Sequence, residues 1–199
     1  MLGASAAMFG TWMERVGPRK AMFVAACCFS LGFFVSAIGV HMHNLFLLYL
    51  GNGVIGGIGL GLGYIGPVST LMNWFPDKPG MATGLAIMGF GGGAMLASPL
   101  SVSLMSFFSS ETSVGVAQAF VVLGLFYLVL MMFGAFTIRI PADGWKPKGY
   151  VAPKIKSKLV SSNHVNVSEA MKTPQFWLLF WVLCLNVTAG IGVLGQASV

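Results

Sequence analysis

Apolar and polar positions in this chain do not interleave at the period of a half-exposed helix; they segregate into long uncharged blocks parted by short polar breaks. The first block, Ala21 to Val40, covers about 30 Å at roughly 1.5 Å per residue, the thickness of a bilayer's hydrocarbon core. After the break His41 to Asn44 comes a second block, Leu45 to Phe75, closed by the turn-forming run Pro76-Asp77-Lys78-Pro79-Gly80. A third runs from Met81 to Phe108, a fourth from Val114 to Ile138, and a fifth from Phe176 to Val199. The pattern predicts an all-α integral membrane protein with five complete spanning helices. Arg139 to Pro174 is too polar to insert and is punctuated by Pro and Gly, so it reads as a loop. The expected organisation is a helical bundle over 1–138, a central loop over 139–174, and a further helix over 175–199.

Composition supports this reading. Hydrophobic residues make up 56% of the 199 and charged ones 8%, against about 25% charged in soluble domains. The mean hydropathy is +0.84. Cys27, Cys28 and Cys184 match no disulfide framework or metal spacing and read as small apolar side chains. His41 and His43 lack thiol or carboxylate partners for a metal and read as interfacial anchors. Gly61, Gly63 and Gly66 have the spacing of a dinucleotide fingerprint but not its strand context, so no cofactor is expected. Asn166 and Ser168 form a glycosylation sequon inside the loop, which is discounted there because the loop is expected to be cytoplasmic.

The net charge of +6 raises the question of an acidic partner. Successive spans reverse direction, so alternate breaks share a side, and every Lys and Arg then falls on one of them: Arg15, Arg19 and Lys20 before the first span, Lys78 after the second, Arg139 through Lys172 after the fourth. The positive-inside rule makes that side cytoplasmic. Topology thus accounts for every base, and nucleic acid is not an expected partner. The expected location is the cell membrane, the inner one if the source is Gram-negative. By the same parity, Met1 to Met13 is too short to cross and reads as the cytoplasmic end of a helix whose beginning is missing; the chain is expected to be a fragment at both ends.

Glycines punctuate the spans at helical spacing: Gly53, Gly57 and Gly61, with Gly59 and Gly63, in the second, and Gly89, Gly93 and Ala97 in the third. Small residues four apart let helix backbones approach, so both spans are expected to pack inside a bundle. Pro67 and Pro99 add points where such helices bend.

The strongest local signal is Gly10-Thr-Trp-Met-Glu14-Arg15-Val-Gly17-Pro-Arg19-Lys20, an acid and several bases between turn glycines at a helix-to-helix crossing. It resembles the signature of the major facilitator superfamily, found between that family's helices two and three. Glu14 stands where the family usually has aspartate. The resemblance implies that Gly10, Glu14, Arg15, Gly17, Arg19 and Lys20 form a conformational latch, working through ion pairs and contact with a helix end. The stretches GLGLGYIGPVSTLMNWFPDKPGMATGLAIMGFGGGA, IPADGWKPKGY and TPQFWLLFWVLCLNVTAGIGVLG are similar to the oxalate:formate antiporter branch. On that likeness the blocks correspond to family helices three to seven, and the start to the end of helix two. The branch moves small carboxylates by alternating access, and its aromatic pocket residues carry over to Tyr64 and Phe90, the latter often tyrosine in the branch. Ordinary aromatic packing is the competing explanation for both.

No Lys, Arg, Asp or Glu lies within any span. An anion at the midplane needs a cationic partner, and the resemblance places the basic pocket residues on helices eight and eleven, beyond Val199. The expected function is secondary transport of small carboxylates, with a missing C-terminal half as partner. The alternative is a non-transporting scaffold or sensor with a transporter-like bundle. No span or loop shows a nucleophile with a base and an orienting acid, so an enzyme is not expected.

Overall fold

The computed structural model describes residues 1–110, 114–142, 145 and 167–196, and every regular element among them is helical. The chain divides into two units, Met1–Tyr150 and Val151–Val199. The first holds α1 (Leu2–Val16), α2 (Pro18–His41), α3 (Leu45–Trp74), α4 (Pro79–Phe108) and α5 (Val116–Thr137). The second holds the short α6 (Val167–Ala170) and α7 (Pro174–Gln196). Helices α2 to α5 have 22 to 30 residues each and are long and apolar enough to cross a membrane; at about 1.5 Å per residue even the shortest exceeds 30 Å. Most of the loop expected over 139–174 lies outside the described residues.

Local chemistry sets where the helices stop. Gly17 takes φ +86°, a left-handed backbone that a side chain would strain, and Pro18 opens α2 at once with its fixed φ. At the other end of α2 the chain turns through His43 at φ +53°. Asn44 then caps α3, its Oδ1 accepting from the Phe46 amide at 3.0 Å and the Leu47 amide at 3.4 Å, a device worth about 1 kcal/mol. Within α3, Tyr49–Ile55 winds as a π-helix before the α-helical register resumes at Gly56. Nothing in the periodicity announces that segment.

Three seams hold the first unit together. Between α2 and α3, Gly32 and Gly39 meet Gly51, Gly56 and the α3 start nearly backbone to backbone: a Cβ on Gly32 would lie 2.7 Å from the Gly51 carbonyl oxygen, and one on Gly59 2.5 Å from the Phe29 nitrogen. The Ser36 hydroxyl bridges the same seam to the Leu48 carbonyl at 3.5 Å. Between α1 and α3, Gly57 and Gly61 receive Met1, Leu2 and Ser5, and Ser5 Oγ donates to the carbonyls of Leu2 at 2.9 Å and Gly57 at 3.3 Å. The seam between α2 and α5 is aromatic: Phe29, Phe33, Phe120 and Tyr127 stack edge-on or tilted at 5.2–5.7 Å, and Gly124 lies under Phe33 and Phe34. Without a hydrophobic drive between helices in lipid, such close packing is what holds a bundle.

Helix α4 differs from the expectation of an interior helix. Ala82 is its one buried residue, and Gly84, Gly89, Gly91, Gly92 and Gly93 have nothing within 4 Å of where a Cβ would stand. The same holds for Gly53 of α3. The small-residue device expected of both helices is therefore engaged along Gly57, Gly59 and Gly61, while on Gly53, Gly89 and Gly93 it faces open space in this chain.

Candidate functional site

The two aromatic residues singled out from the sequence meet. Tyr64 of α3 and Phe90 of α4 have ring centroids 5.8 Å apart at 81°, an edge-to-face pair. They line a cavity of 380 Å³, walled on the α3 side by Gly63, Pro67, Val68 and Leu71 and on the α4 side by Leu85, Ala86 and Gly89. The lining positions recur every three to four residues on each helix, as one face of each requires. Tyr64 stands ten residues before Trp74, the last of α3, and Phe90 eleven after Pro79, the first of α4. At about 1.5 Å per residue both lie roughly 15 Å from that end, half the hydrocarbon thickness of about 30 Å. The phenol of Tyr64 is the polar side-chain group of an otherwise apolar lining. Pro67 removes an amide from the α3 ladder, and the hydroxyls of Ser69 and Thr70 both turn back to the Gly66 carbonyl beside it, at 3.1 and 2.8 Å.

The charged signature gathers at the end of the bundle where α1 stops, α2 begins and α5 ends. Arg19 donates from Nε to the Ile138 carbonyl at 2.9 Å and from Nη2 to the Phe136 carbonyl at 3.1 Å, capping the C-terminus of α5 with a guanidinium. Those carbonyls carry the negative end of the helix dipole, so a cation there is favoured. Arg15 occupies the last turn of α1, where the same sign rule applies. Glu14 lines a crevice of 270 Å³ with Ser69, Thr70 and Asn73 of α3. Gly10 meets nothing within 4 Å, and the role of Gly17 is the left-handed turn already described.

Sequence reasoning missed a second tie at this end. Trp74 Nε1 donates to the Arg139 carbonyl at 2.8 Å, and its ring meets Trp145 at 5.0 Å and 66°. The segment leaving α5 is thereby held to the end of α3, which is why the first unit takes in the start of the expected loop. The signal was available: an indole N–H at a helix end seeks an acceptor. Among the described residues no three His, Cys, Asp or Glu side chains gather as a metal site would require.

Long apolar helices, glycine seams and a cavity between two of them define a multi-pass α-helical membrane protein. The chain belongs to the Major Facilitator Superfamily, whose family model matches residues 1–197. It is 29% identical over 197 residues to an uncharacterised MFS-type transporter of Escherichia coli (strain K12), YhjX, covering 99% of this chain and 45% of that protein. An oxalate:formate antiporter of Oxalobacter formigenes is 29% identical over 181 residues, 91% of this chain and 39% of the antiporter. Apicoplast pyruvate carrier 1 of Toxoplasma gondii is 29% identical over 157 residues, 67% of this chain and 28% of the carrier. The chain thus spans less than half the length of these relatives.

Proposed function

We propose that the chain forms part of a secondary transporter that moves small carboxylates across the membrane by alternating access. The observation that carries the reading is the Tyr64–Phe90 pair lining a cavity well inside two long apolar helices, as expected where transporters of this architecture hold their substrates. Two edge-to-face aromatics exclude water and clamp a small planar ligand, and the phenol supplies one donor to a carboxylate oxygen. The names of relatives that act on oxalate, formate and pyruvate agree in ligand class. The charge that offsets the anion's desolvation is assigned to a partner half of the bundle, because no base lies among the residues lining the cavity. The basic end of the bundle is assigned to the cytoplasm: a cysteine introduced as Ser157→Cys should resist an impermeant thiol reagent in intact cells, and efficient labelling from outside would reverse the orientation.

The experiment for transport is counterflow in proteoliposomes. The chain joined to its complementary half is loaded with unlabelled oxalate, formate or pyruvate, and uptake of the radiolabelled acid is followed. Saturable exchange with at least one of them supports the reading. Specific binding of a carboxylate without exchange favours a sensor, and neither binding nor exchange rejects the substrate class.

A further inference from the structure

Two crevices join at Arg19 and Lys20. One, of 670 Å³, opens at the junction of α1 and α2 and is walled by Val16, Gly17, Arg19, Lys20 and Arg139, so that all its charged side chains are cationic. The other, of 240 Å³, continues from the same two bases between α2 and α5 over Phe23, Ala135 and Phe136. Ala135 is buried and makes its floor, while Phe23 and Phe136 stand 44% and 69% exposed, as expected of side chains turned to hydrocarbon. Glu14 lines an adjoining crevice that shares Pro18 and Ile140 with the first, and among the described residues neither of the two linings holds an acid to offset the bases or the positive end of the α2 dipole.

We propose that this joined crevice binds an anionic phospholipid, the phosphate against Lys20 and Arg139 and one acyl chain along Phe23 and Phe136. Charge and shape argue for the same occupant. A free phosphate would use the basic part and leave the apolar groove bare, whereas a neutral lipid would use the groove and bring no anion to Lys20 and Arg139. The register fits an amphiphile: on α2 Phe23 follows Lys20 by three residues, about one helical turn or roughly 5.4 Å, and Phe136, at the end of α5, stands three residues before Arg139. Arg19 sits at the join with Nε and Nη2 committed to the α5 carbonyls. Nη1 remains for the headgroup. The lipid then bears on the residue that ties α2 to α5, and membrane composition acts on the latch.

The test is lipid binding by the purified, delipidated chain, read by native mass spectrometry with dioleoyl phosphatidylglycerol, the matching phosphatidylcholine, and glycerol 3-phosphate. Phosphatidylglycerol should bind at least several-fold tighter than phosphatidylcholine, and glycerol 3-phosphate far more weakly than either. Lys20→Gln and Arg139→Gln should each cut the preference by about five-fold, the factor expected for one basic residue at an anionic surface. Phe23→Ser should weaken both lipids. Equal binding of the two lipids, or a preference that survives Lys20→Gln with Arg139→Gln, overturns the proposal; glycerol 3-phosphate binding as tightly as the lipid replaces it with a plain phosphate site. Should the variants not remain monodisperse, a phosphatidylglycerol with a photoreactive acyl chain is crosslinked to the parent chain. Adducts on the peptides holding Phe23 and Phe136 support the site, and adducts confined to other peptides reject it.

Discussion

Tyr64 brings one hydroxyl to an apolar cavity, and the worth of that group is what a substitution there reads. In the complete transporter, Tyr64→Phe should weaken apparent carboxylate affinity by about 0.5–1.5 kcal/mol with expression unchanged, since it removes a single hydrogen bond and keeps the edge-to-face contact. Phe90→Tyr adds a second hydroxyl at the same depth and should shift preference among carboxylates; competition of oxalate, formate and pyruvate against one labelled acid measures both. If both variants bind every acid as the parent does, the pocket assignment fails and the two rings are packing only. Glycines divide as sharply by surroundings. At Gly59 a methyl would stand 2.5 Å from the Phe29 backbone, which has nowhere to go, whereas at Gly89 nothing lies within 4 Å. Gly59→Ala should therefore destabilise the chain by about 1–3 kcal/mol, the range for forced overpacking, and Gly89→Ala, in open space inside a helix, should not destabilise it. Thermal unfolding of the two variants in one detergent compares them, and equal midpoints would remove the α2–α3 seam from the account.

At the scale of elements, the sequence was informative wherever solvent alone decides. Uncharged blocks of membrane length become α2 to α5 nearly at the expected bounds, because no other secondary structure satisfies a backbone in hydrocarbon without closing a barrel. What hydropathy cannot encode is which face of a uniformly apolar helix meets which neighbour. Gly32, Ser36 and Gly39 on α2 carry the seam as fully as the glycine-rich run of α3, yet they stand four and three apart amid bulky residues and draw no notice. The π-helical stretch Tyr49–Ile55 was equally silent, since it changes the register and not the polarity. The meeting of Tyr64 and Phe90 was legible only through family resemblance, whereas the Trp74 and Trp145 tie depends on a loop path that no periodicity records. Arg19 was identified by its motif, and the structure supplies its acceptors on α5. Arg19→Gln keeps a donor but loses the charge, so the α5 carbonyls keep at most one neutral hydrogen bond. The expected loss is about 1–2 kcal/mol of stability, with faster hydrogen exchange at the amides of the last turn of α5. A uniform change across all helices would point instead to general misfolding.

On the scale of the whole molecule, the first unit is sealed along α1, α2, α3 and α5 and open along α4. Helix α4 is as apolar as its neighbours, but nothing lies within 4 Å of a Cβ placed on Gly84, Gly89, Gly91, Gly92 or Gly93, and Met88 and Met95 stand 67% and 75% exposed. Gly89 and Gly93 stand four apart on one side of α4, where larger side chains would serve as well against lipid tails; the use of small residues at that spacing is to admit another helix closely. The stretch matched is 45% of the length of the Escherichia coli relative. If the proposed transporter is completed by a second half of the bundle, the expected docking line is Gly89 and Gly93, beside the cavity at Tyr64 and Phe90. A bulky residue then separates assembly from folding. In the chain by itself, Gly93→Leu should leave the thermal midpoint unchanged, because no atom lies within 4 Å of the new Cβ. In the two-half protein it should abolish co-purification of the halves and carboxylate exchange together. By contrast, Gly59→Leu should damage the chain even without its partner, since its neighbours are already in place. If Gly93→Leu destabilises the isolated chain, the face is occupied by this chain's own residues; if the halves still associate and exchange normally, the partner docks elsewhere, and α4 is a lipid-facing helix whose glycines need another explanation.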